Sequence, residues 1–235
     1  MVIVNPNSGP YAEYPNSAPG RLSLPGHDYC REIPRLTAFG NVSTIGYVRV
    51  DYCKKPLSEV FAEIETYAAW SREPGLGVSG IFVDETPNHH SAQAEEYLNA
   101  IKHAIRSLSG WTGASLVCFC RSAFLINANL LMAAQIMHNP GTPPDARLAH
   151  TADAVVTCEE SYARYRSQEV QDHYANFHYS HAMSAYQMSG VPVAEIDWLT
   201  RALRRECGYL FVTDLVENFY ESFGSGHEKF IAALE

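Results

Sequence analysis

A parallel (β/α)8 barrel of the TIM type is the fold that this 235-residue sequence predicts. Its length lies within the roughly 200–250 residues at which an α/β barrel is still one domain. Apolar residues form 46% of the chain and charged residues 18%, which supplies a core and excludes disorder or a fibrous repeat. Short apolar runs alternate with helical or loop segments, as in sheets built from β–α units. We therefore expect residues 1–235 to form a single barrel domain.

Six apolar runs of strand length, and a weaker seventh, are the predicted strands. They are residues 2–4, 44–50, 78–83, 135–137, 154–158 and 209–212, with the weaker run at 179–186. Each clear run finishes on polar residues. The active site of a parallel barrel forms where its strands end. Polar side chains at these positions are therefore candidates for the chemistry.

Three segments between the strands have the apolar spacing of amphipathic helices. Residues 57–70 repeat apolar side chains beside glutamates, and Ser58 is the predicted cap of their first turn. Residues 91–108 and 195–207 follow the same pattern. The Gly/Pro clusters elsewhere in the sequence predict loops within a single domain.

The charge balance excludes one class of partner. The chain has 17 Lys and Arg against 26 Asp and Glu, a net charge of −9, whereas a nucleic-acid binder needs a basic surface. The six cysteines are far apart in a domain large enough to fold without disulfide bonds, so mostly unpaired, buried thiols are expected. A neutral or cationic ligand fits this composition better than nucleic acid.

The sequence lacks the signatures of several other classes of protein. Neither the histidines nor the cysteines have metal-site spacing, and there is no G-x-S-x-G or glycine-rich phosphate loop, so no metal and no cofactor are expected. The most apolar stretch, residues 114–137, contains Arg121, Asn127 and Asn129, which argues against a membrane span. Met1 is followed at once by Val-Ile-Val-Asn-Pro, which is not a signal peptide.

The sharpest chemical feature is the pair Asp84 and Glu85 at the end of a predicted strand. Successive side chains of a strand point to opposite faces, so Asp84 is expected at the barrel mouth and Glu85 toward a packed helix. Glu159 ends a later strand and supplies a further acid. Glycoside hydrolysis needs one protonated and one ionised carboxyl group. The alternative interpretation is a structural pair that caps a helix or binds a stray cation.

Tyrosines flank these acids in the sequence. They are Tyr11, Tyr14, Tyr47, Tyr52, Tyr162, Tyr165 and Tyr186. Sugars present C–H faces that stack on aromatic rings and hydroxyls that form hydrogen bonds. Tyrosine-rich strand ends are therefore compatible with a carbohydrate groove.

The strand ends together resemble a known family, the spherulation-specific family 4 (spherulin 4) proteins. The matching motifs are Val4-Asn-Pro-Asn-Ser-Gly-Pro10, Gly46-Tyr-Val-Arg-Val-Asp-Tyr52, Gly80-Ile-Phe-Val-Asp-Glu85, Asn139-Pro-Gly-Thr142, Ala152-Asp-Ala-Val-Val-Thr-Cys-Glu159 and Tyr209-Leu-Phe-Val-Thr-Asp214. That family is grouped with glycoside hydrolase family 135, whose fungal members are (β/α)8-barrel enzymes that cut galactosaminogalactan at N-acetylgalactosamine linkages.

The resemblance implies the site residues. It places the catalytic acids at Asp84, Glu85 and Glu159, and we assign Glu159 as general acid, Asp84 as its ionised partner and Glu85 as an orienting group. Substrate binding is expected from the strand ends: Asn5, Asn7, Tyr47, Tyr52, Asn139, Tyr162 and Asp214. Glu160 stands where the family usually has a small or polar residue.

The chain also departs from the family pattern. Members have a further strand before the Asn-Pro-Asn-Ser-Gly-Pro motif, preceded by a signal peptide when secreted, and both are missing here. Seven of eight strands are thus expected, with residues 2–4 in second position and the chain truncated at its N-terminus relative to the family. Residues 115–132 form an unusual apolar insert, and 116–119 are the candidate for an extra strand.

Three functions remain in competition. The leading one is an endo-acting glycosidase, retaining, inverting or assisted by the substrate's acetamido group, on a partly deacetylated, cationic amino-sugar polymer. The second is a catalytically silent carbohydrate-binding or spore or cell-surface protein on the same fold. The third is another barrel hydrolase, such as an amidase or deacetylase. A monomer is expected, extracellular or at the cell surface by family resemblance, with the cytoplasm as the alternative location for the chain as given.

Overall fold

A computed structural model of the chain describes residues 1–10, 24–112, 134–175 and 179–235. The chain divides into two compact units, residues 1–86 with 91–137 (unit 1) and residues 87–90 with 138–235 (unit 2). Tyr11, Tyr14 and the predicted insert at 115–132, with its candidate strand at 116–119, lie outside the described residues.

The described strands number seven, and each lies in the sheet beside its predecessor in the chain. They are β1 (Val2–Val4), β2 (Thr44–Arg49), β3 (Gly80–Asp84), β4 (Gln135–Asn139), β5 (Ala154–Ser161), β6 (Ser184–Ser189) and β7 (Tyr209–Val212). The pairings β1–β2, β2–β3, β5–β6 and β6–β7 are parallel. The predicted α/β class with parallel strands in chain order is confirmed.

Seven α-helices lie within the described ranges. They are α1 (His27–Thr37), α2 (Leu57–Ala69), α3 (Ala92–Ser107), α4 (Tyr162–Tyr165), α5 (Gln168–Ala175), α6 (Ile196–Leu203) and α7 (His227–Leu234). Short 3₁₀ turns occupy Trp70–Arg72, Ala146–Thr151 and His181–Met183. The three predicted helices are confirmed as α2, α3 and α6. None of the helices in the described part of the chain is both long and apolar enough to span a membrane.

Two local expectations are wrong. Pro56 rather than Ser58 holds the N-cap position of α2, and no side chain caps that helix, because proline has no side-chain oxygen to accept a hydrogen bond. The weak strand predicted to begin at Tyr179 begins only at Ser184, since residues 181–183 form a 3₁₀ turn. Ser91 does cap α3, accepting a 3.0 Å hydrogen bond from the Ala94 N–H.

The contact between α2 and β2 fixes which side chains reach the site in unit 1. A Cβ atom at Gly46 would lie 2.5 Å from the ring of Tyr67, so only glycine lets α2 approach the strand this closely. Gly46 therefore faces the helix, and the alternation of the strand turns Tyr47 and Arg49 to the opposite side. In the parallel register Gly46 is opposite Ile81 and Tyr47 opposite Phe82.

The same register sorts the side chains of β3. Ile81 and Val83, which are fully buried, lie on the helix side, whereas Phe82 and Asp84 share the side of Tyr47. The rings of Tyr47 and Phe82 stack with centroids 6.1 Å apart. The expected alternation thus holds as far as Asp84.

Unit 2 has its own apolar core beside β5, β6 and β7. It comprises Cys158, Tyr162, Met188, Val191, Ile196, Leu199, Leu203, Val212 and Phe230. The register of β5 against β6 shifts between Val156 and Cys158. The four cysteines of the described ranges carry free thiols, and Cys158 and Cys207 are buried.

Candidate active site

The first group of site residues lies where β2 and β3 end in unit 1, and we call Tyr47, Arg49, Asp84 and Glu85 the Asp84 cluster. The Tyr47 hydroxyl donates a 2.5 Å hydrogen bond to Oδ2 of Asp84. The other oxygen of Asp84, Oδ1, accepts the main-chain N–H of Glu85 at 2.9 Å. A donor on β2 and another in the turn after β3 therefore fix the plane of the Asp84 carboxylate.

Glu85 does not continue the alternation that predicts its packing against a helix. Its backbone is left-handed, with φ of 55°, so the strand ends before it. Its Oε2 accepts a 2.7 Å bond from Nε of Arg49, a residue on the Tyr47 side of the sheet. The turn thus brings the second acid to the side where Asp84 lies, which corrects the expected orientation.

Backbone strain is concentrated beside these acids. Asp51, Tyr52 and Cys53 have φ values of 46°, 51° and 66°, which are left-handed and unusual without glycine. Each such residue costs on the order of 1–2 kcal/mol. The Tyr52 N–H donates to the Glu85 carbonyl at 2.8 Å, which ties the loop after β2 to the turn after β3. Strain of this kind persists at functional sites.

The phenol of Tyr47 is a fixed donor at physiological pH. Burial and its bond to Asp84 both raise the pKa of Tyr47 well above its usual range. The hydroxyl therefore keeps its proton and directs it at Asp84. Tyr52, by contrast, is 57% exposed at the tip of the strained loop and offers its ring to solvent.

The second group lies in unit 2, and we call Asn139, Glu159, Gln187 and Tyr220 the Glu159 cluster. Nδ2 of Asn139 donates to Oε2 of Glu159 at 3.0 Å. Oε1 accepts the Tyr220 hydroxyl and, at 3.4 Å, Nε2 of Gln187, which also bonds to the Tyr220 oxygen. Three uncharged donors from separate segments therefore hold one carboxyl group.

The main chain supports this arrangement through Gly141. Its N–H donates to Oδ1 of Asn139 at 2.9 Å, and its carbonyl accepts the N–H of Glu159 at 3.1 Å. Gly141 has φ of 71°, which suits glycine. The turn after β4 thus orients the Asn139 amide toward Glu159. Glu160, next along, forms a 3.1 Å ion pair with Arg164.

The remaining predicted binding residues occupy different environments. Oδ1 of Asn5 accepts a 3.1 Å hydrogen bond from the Gly9 N–H, and the main-chain carbonyl of Asn5 accepts a 3.0 Å bond from the Tyr29 hydroxyl. Asn7 is exposed in the same loop. Both amides lie after β1 in unit 1, with Asn5 shaping the loop.

Asp214 and Tyr162 have structural contacts. Asp214 accepts the Ser225 hydroxyl at 2.8 Å and the Gly226 N–H at 3.1 Å. Burial raises the pKa of Asp214, but these bonds outweigh it, and the net pKa is lowered. Tyr162 is packed in the core of unit 2 with its hydroxyl bonded to Glu195. Their contacts account for loop closure and packing.

Arg49, Gln187 and Tyr220 are the site residues that sequence reasoning missed. Tyr220 lies 61 residues from Glu159 in a loop without strand or helix periodicity, so no spacing rule connects them. Gln187 lies on β6, whose start was predicted too early. The one sequence signal for Gln187 is that it is a polar residue directly after Tyr186 on this strand.

Fold and site together define an α/β protein of parallel strands with carboxylates held at the strand ends. The chain belongs to the spherulation-specific family 4, whose sequence model matches residues 1–234. Spherulin-4 from Physarum polycephalum is 32% identical over 193 residues, which are 81% of this chain. The 193 matched residues are 44% of the Spherulin-4 sequence, so this chain spans less than half the length of that relative.

A solved structure is similar over nearly the whole chain. The crystal structure of Aspergillus clavatus Sph3 in complex with GalNAc matches with a TM-score of 0.81 and 30% sequence identity. The match covers 99% of this chain and 84% of Sph3. The family expected from the sequence motifs is thus confirmed, and the structural relative binds the sugar GalNAc.

Proposed function

We propose that this protein is a glycoside hydrolase that cleaves a polysaccharide containing N-acetylgalactosamine. The observation that carries the proposal is that two carboxyl groups, Asp84 in unit 1 and Glu159 in unit 2, are each positioned by hydroxyl or amide donors at a strand end. The likeness to Sph3, solved with GalNAc, supports this sugar as the ligand. With the function we propose the (β/α)8-type barrel of the family as the architecture, with seven of its eight strands in this chain.

The proposed roles follow from the partners of each acid. Asp84, held by Tyr47, acts as the ionised partner, either as nucleophile in a retaining reaction or as base in an inverting one. Glu85 is paired with Arg49 and orients the substrate or the strand end. Glu159 acts as general acid and protonates the oxygen of the leaving sugar. When the acetamido group of the substrate is the nucleophile, Asp84 orients that group instead.

The proposal extends to the substrate and the setting. The net charge of −9 favours a partly deacetylated, cationic amino-sugar chain over an anionic polymer. The residues proposed to bind the sugar are those at the strand ends: Asn5, Asn7, Tyr47, Tyr52, Asn139, Tyr162 and Asp214. We propose that the protein works as a monomer outside the cell or at its surface, where such polymers occur.

Turnover of galactosaminogalactan by Asp84→Asn and Glu159→Gln tests the function. The amides keep the shape of the acids but cannot transfer a proton or act as nucleophile, so kcat should fall by about 10²–10⁴-fold. Glu160→Gln is the matched control, since that neighbouring acid pairs with Arg164, and it should retain activity. Circular dichroism verifies that each variant is folded.

Two outcomes would count against the proposal. Unchanged depolymerisation by both amide variants would refute the assigned residues. Binding of the polymer without any turnover by the parent protein would instead favour a catalytically silent carbohydrate-binding protein.

A further inference from the structure

We infer that the loop between β7 and α7, residues 213–226, is an aromatic platform that binds further sugar units of the chain whose cleavage is proposed above. We call it the β7–α7 loop. The inference rests on the proposed function and adds a binding surface to it, outside the carboxylates themselves.

The loop exposes three large apolar side chains within eight residues. Val216 is 72% exposed, Tyr220 65% and Phe223 78%. Single exposed apolar residues are common, but several on one short segment mark a binding surface. The loop therefore has a surface suited to a ligand.

The platform is continuous with the Glu159 cluster. The Tyr220 hydroxyl donates to Glu159 and accepts from Gln187, while most of its ring stays exposed. The ring of Phe219 lies beside it, with centroids 4.4 Å apart. A sugar unit adjacent to the one at Glu159 would thus meet an aromatic ring.

The base of the loop is held in place before any ligand binds. Asp214 bonds to Ser225 and to the N–H of Gly226, which joins the two ends of the loop. The Gly190 N–H donates to the Leu215 carbonyl at 2.8 Å, which anchors the loop to the end of β6. A surface fixed in this way loses little conformational entropy on binding.

The composition of the loop selects a saccharide as its occupant. Polar residues interrupt the apolar ones, namely Glu217, Asn218, Glu221 and Ser222. Rings that stack on C–H faces, mixed with groups that bond to hydroxyls, match a sugar chain. The core of a protein–protein interface is depleted in charged residues, whereas Glu217 and Glu221 lie among the exposed apolar residues of this loop.

Binding of N-acetylgalactosamine oligomers of one to six units to Phe223→Ala tests the inference. The measurement is made by calorimetry in the Asp84→Asn background, so that cleavage does not consume the ligand. We expect about three- to tenfold weaker binding of the hexamer, from the loss of one stacked ring, and unchanged binding of the monomer. Phe223→Trp, which keeps an aromatic ring, should restore hexamer binding.

Trp198→Ala is the matched control, because Trp198 is a 63% exposed aromatic residue on α6, outside the loop. Its hexamer binding should equal that of the background. Equal hexamer affinity for Phe223→Ala and Trp198→Ala would overturn the platform. A different pair of results would uphold the platform while refuting the proposed enzyme. Longer oligomers would bind more tightly than the monomer, Phe223→Ala would abolish that difference, and the parent protein with Asp84 intact would hydrolyse none of them.

Discussion

Removing the Tyr47 hydroxyl is the smallest change that tests how the Asp84 carboxylate is positioned. In Tyr47→Phe the ring remains stacked on Phe82, and only the oxygen 2.5 Å from Oδ2 of Asp84 is lost. Asp84 keeps the bond from the Glu85 N–H to its other oxygen. The variant therefore loosens one side of the carboxylate without opening the core.

The expected loss follows from the type of bond. A hydrogen bond to an ionised group contributes about 1.5–3 kcal/mol. If this bond is maintained in the transition state and lost in the variant, kcat/KM should fall by about 10–150-fold. Since the Tyr47 hydroxyl positions Asp84 rather than the sugar, the loss should be mainly in kcat.

The control is another tyrosine whose hydroxyl bonds to a neutral acceptor in the same unit. Tyr67 donates to the Val4 carbonyl at 2.9 Å, so Tyr67→Phe should cost about 1 kcal/mol of unfolding free energy. Tyr67→Phe should leave kcat within about twofold of the parent, since the folded molecules of this variant keep the Asp84 cluster unchanged. Equal activity losses in Tyr47→Phe and Tyr67→Phe, each scaling with stability, would refute a positioning role for Tyr47.

Three further predictions concern stability and reactivity. Gly80→Ala should destabilise the protein by about 1–3 kcal/mol in urea unfolding, because its new Cβ would lie 2.0 Å from a main-chain oxygen of β4. Asp214→Ala should lower stability at pH 7, and the gap to the parent should close below about pH 4, because the lowered pKa of Asp214 stabilises the fold only while the group is ionised. Cys158 and Cys207, whose pKa burial raises to about 12, should resist iodoacetamide at pH 7.5 and react in denaturant, as peptide mapping would show.

The fold was predictable because its signals are local. Each strand is an apolar run that ends on polar residues, and α2 and α3 have clear apolar stripes. Helix α1 was not predicted, because most of its eleven residues HDYCREIPRLT are polar and Pro34 lies inside it, which is unusual for a helix. Its few apolar side chains are arranged amphipathically, and Ile33 is the one that is buried.

The site was predictable only as far as single strand ends. Asp84 and Glu159 follow from that rule, but their partners do not, because Tyr220 reaches Glu159 from a loop far along the chain. The left-handed turn at Glu85 has no sequence signature either, since glycine or asparagine usually marks such a turn. Its position is set by the Tyr52 N–H and by Arg49, both contributed by another strand end.

The partners of the acids distinguish structural from reactive roles better than their positions do. Glu85 forms an ion pair with Arg49, which also lies 3.7 Å from Asp51, and Glu160 forms an ion pair with Arg164. Asp84 accepts a hydrogen bond from the Tyr47 hydroxyl, and Glu159 accepts hydrogen bonds from the Asn139 amide and the Tyr220 hydroxyl. Acid–base catalysis requires groups whose protonation changes during turnover. This contrast in partners supports our proposal that Asp84 and Glu159 carry the chemistry and that Glu85 has the orienting role.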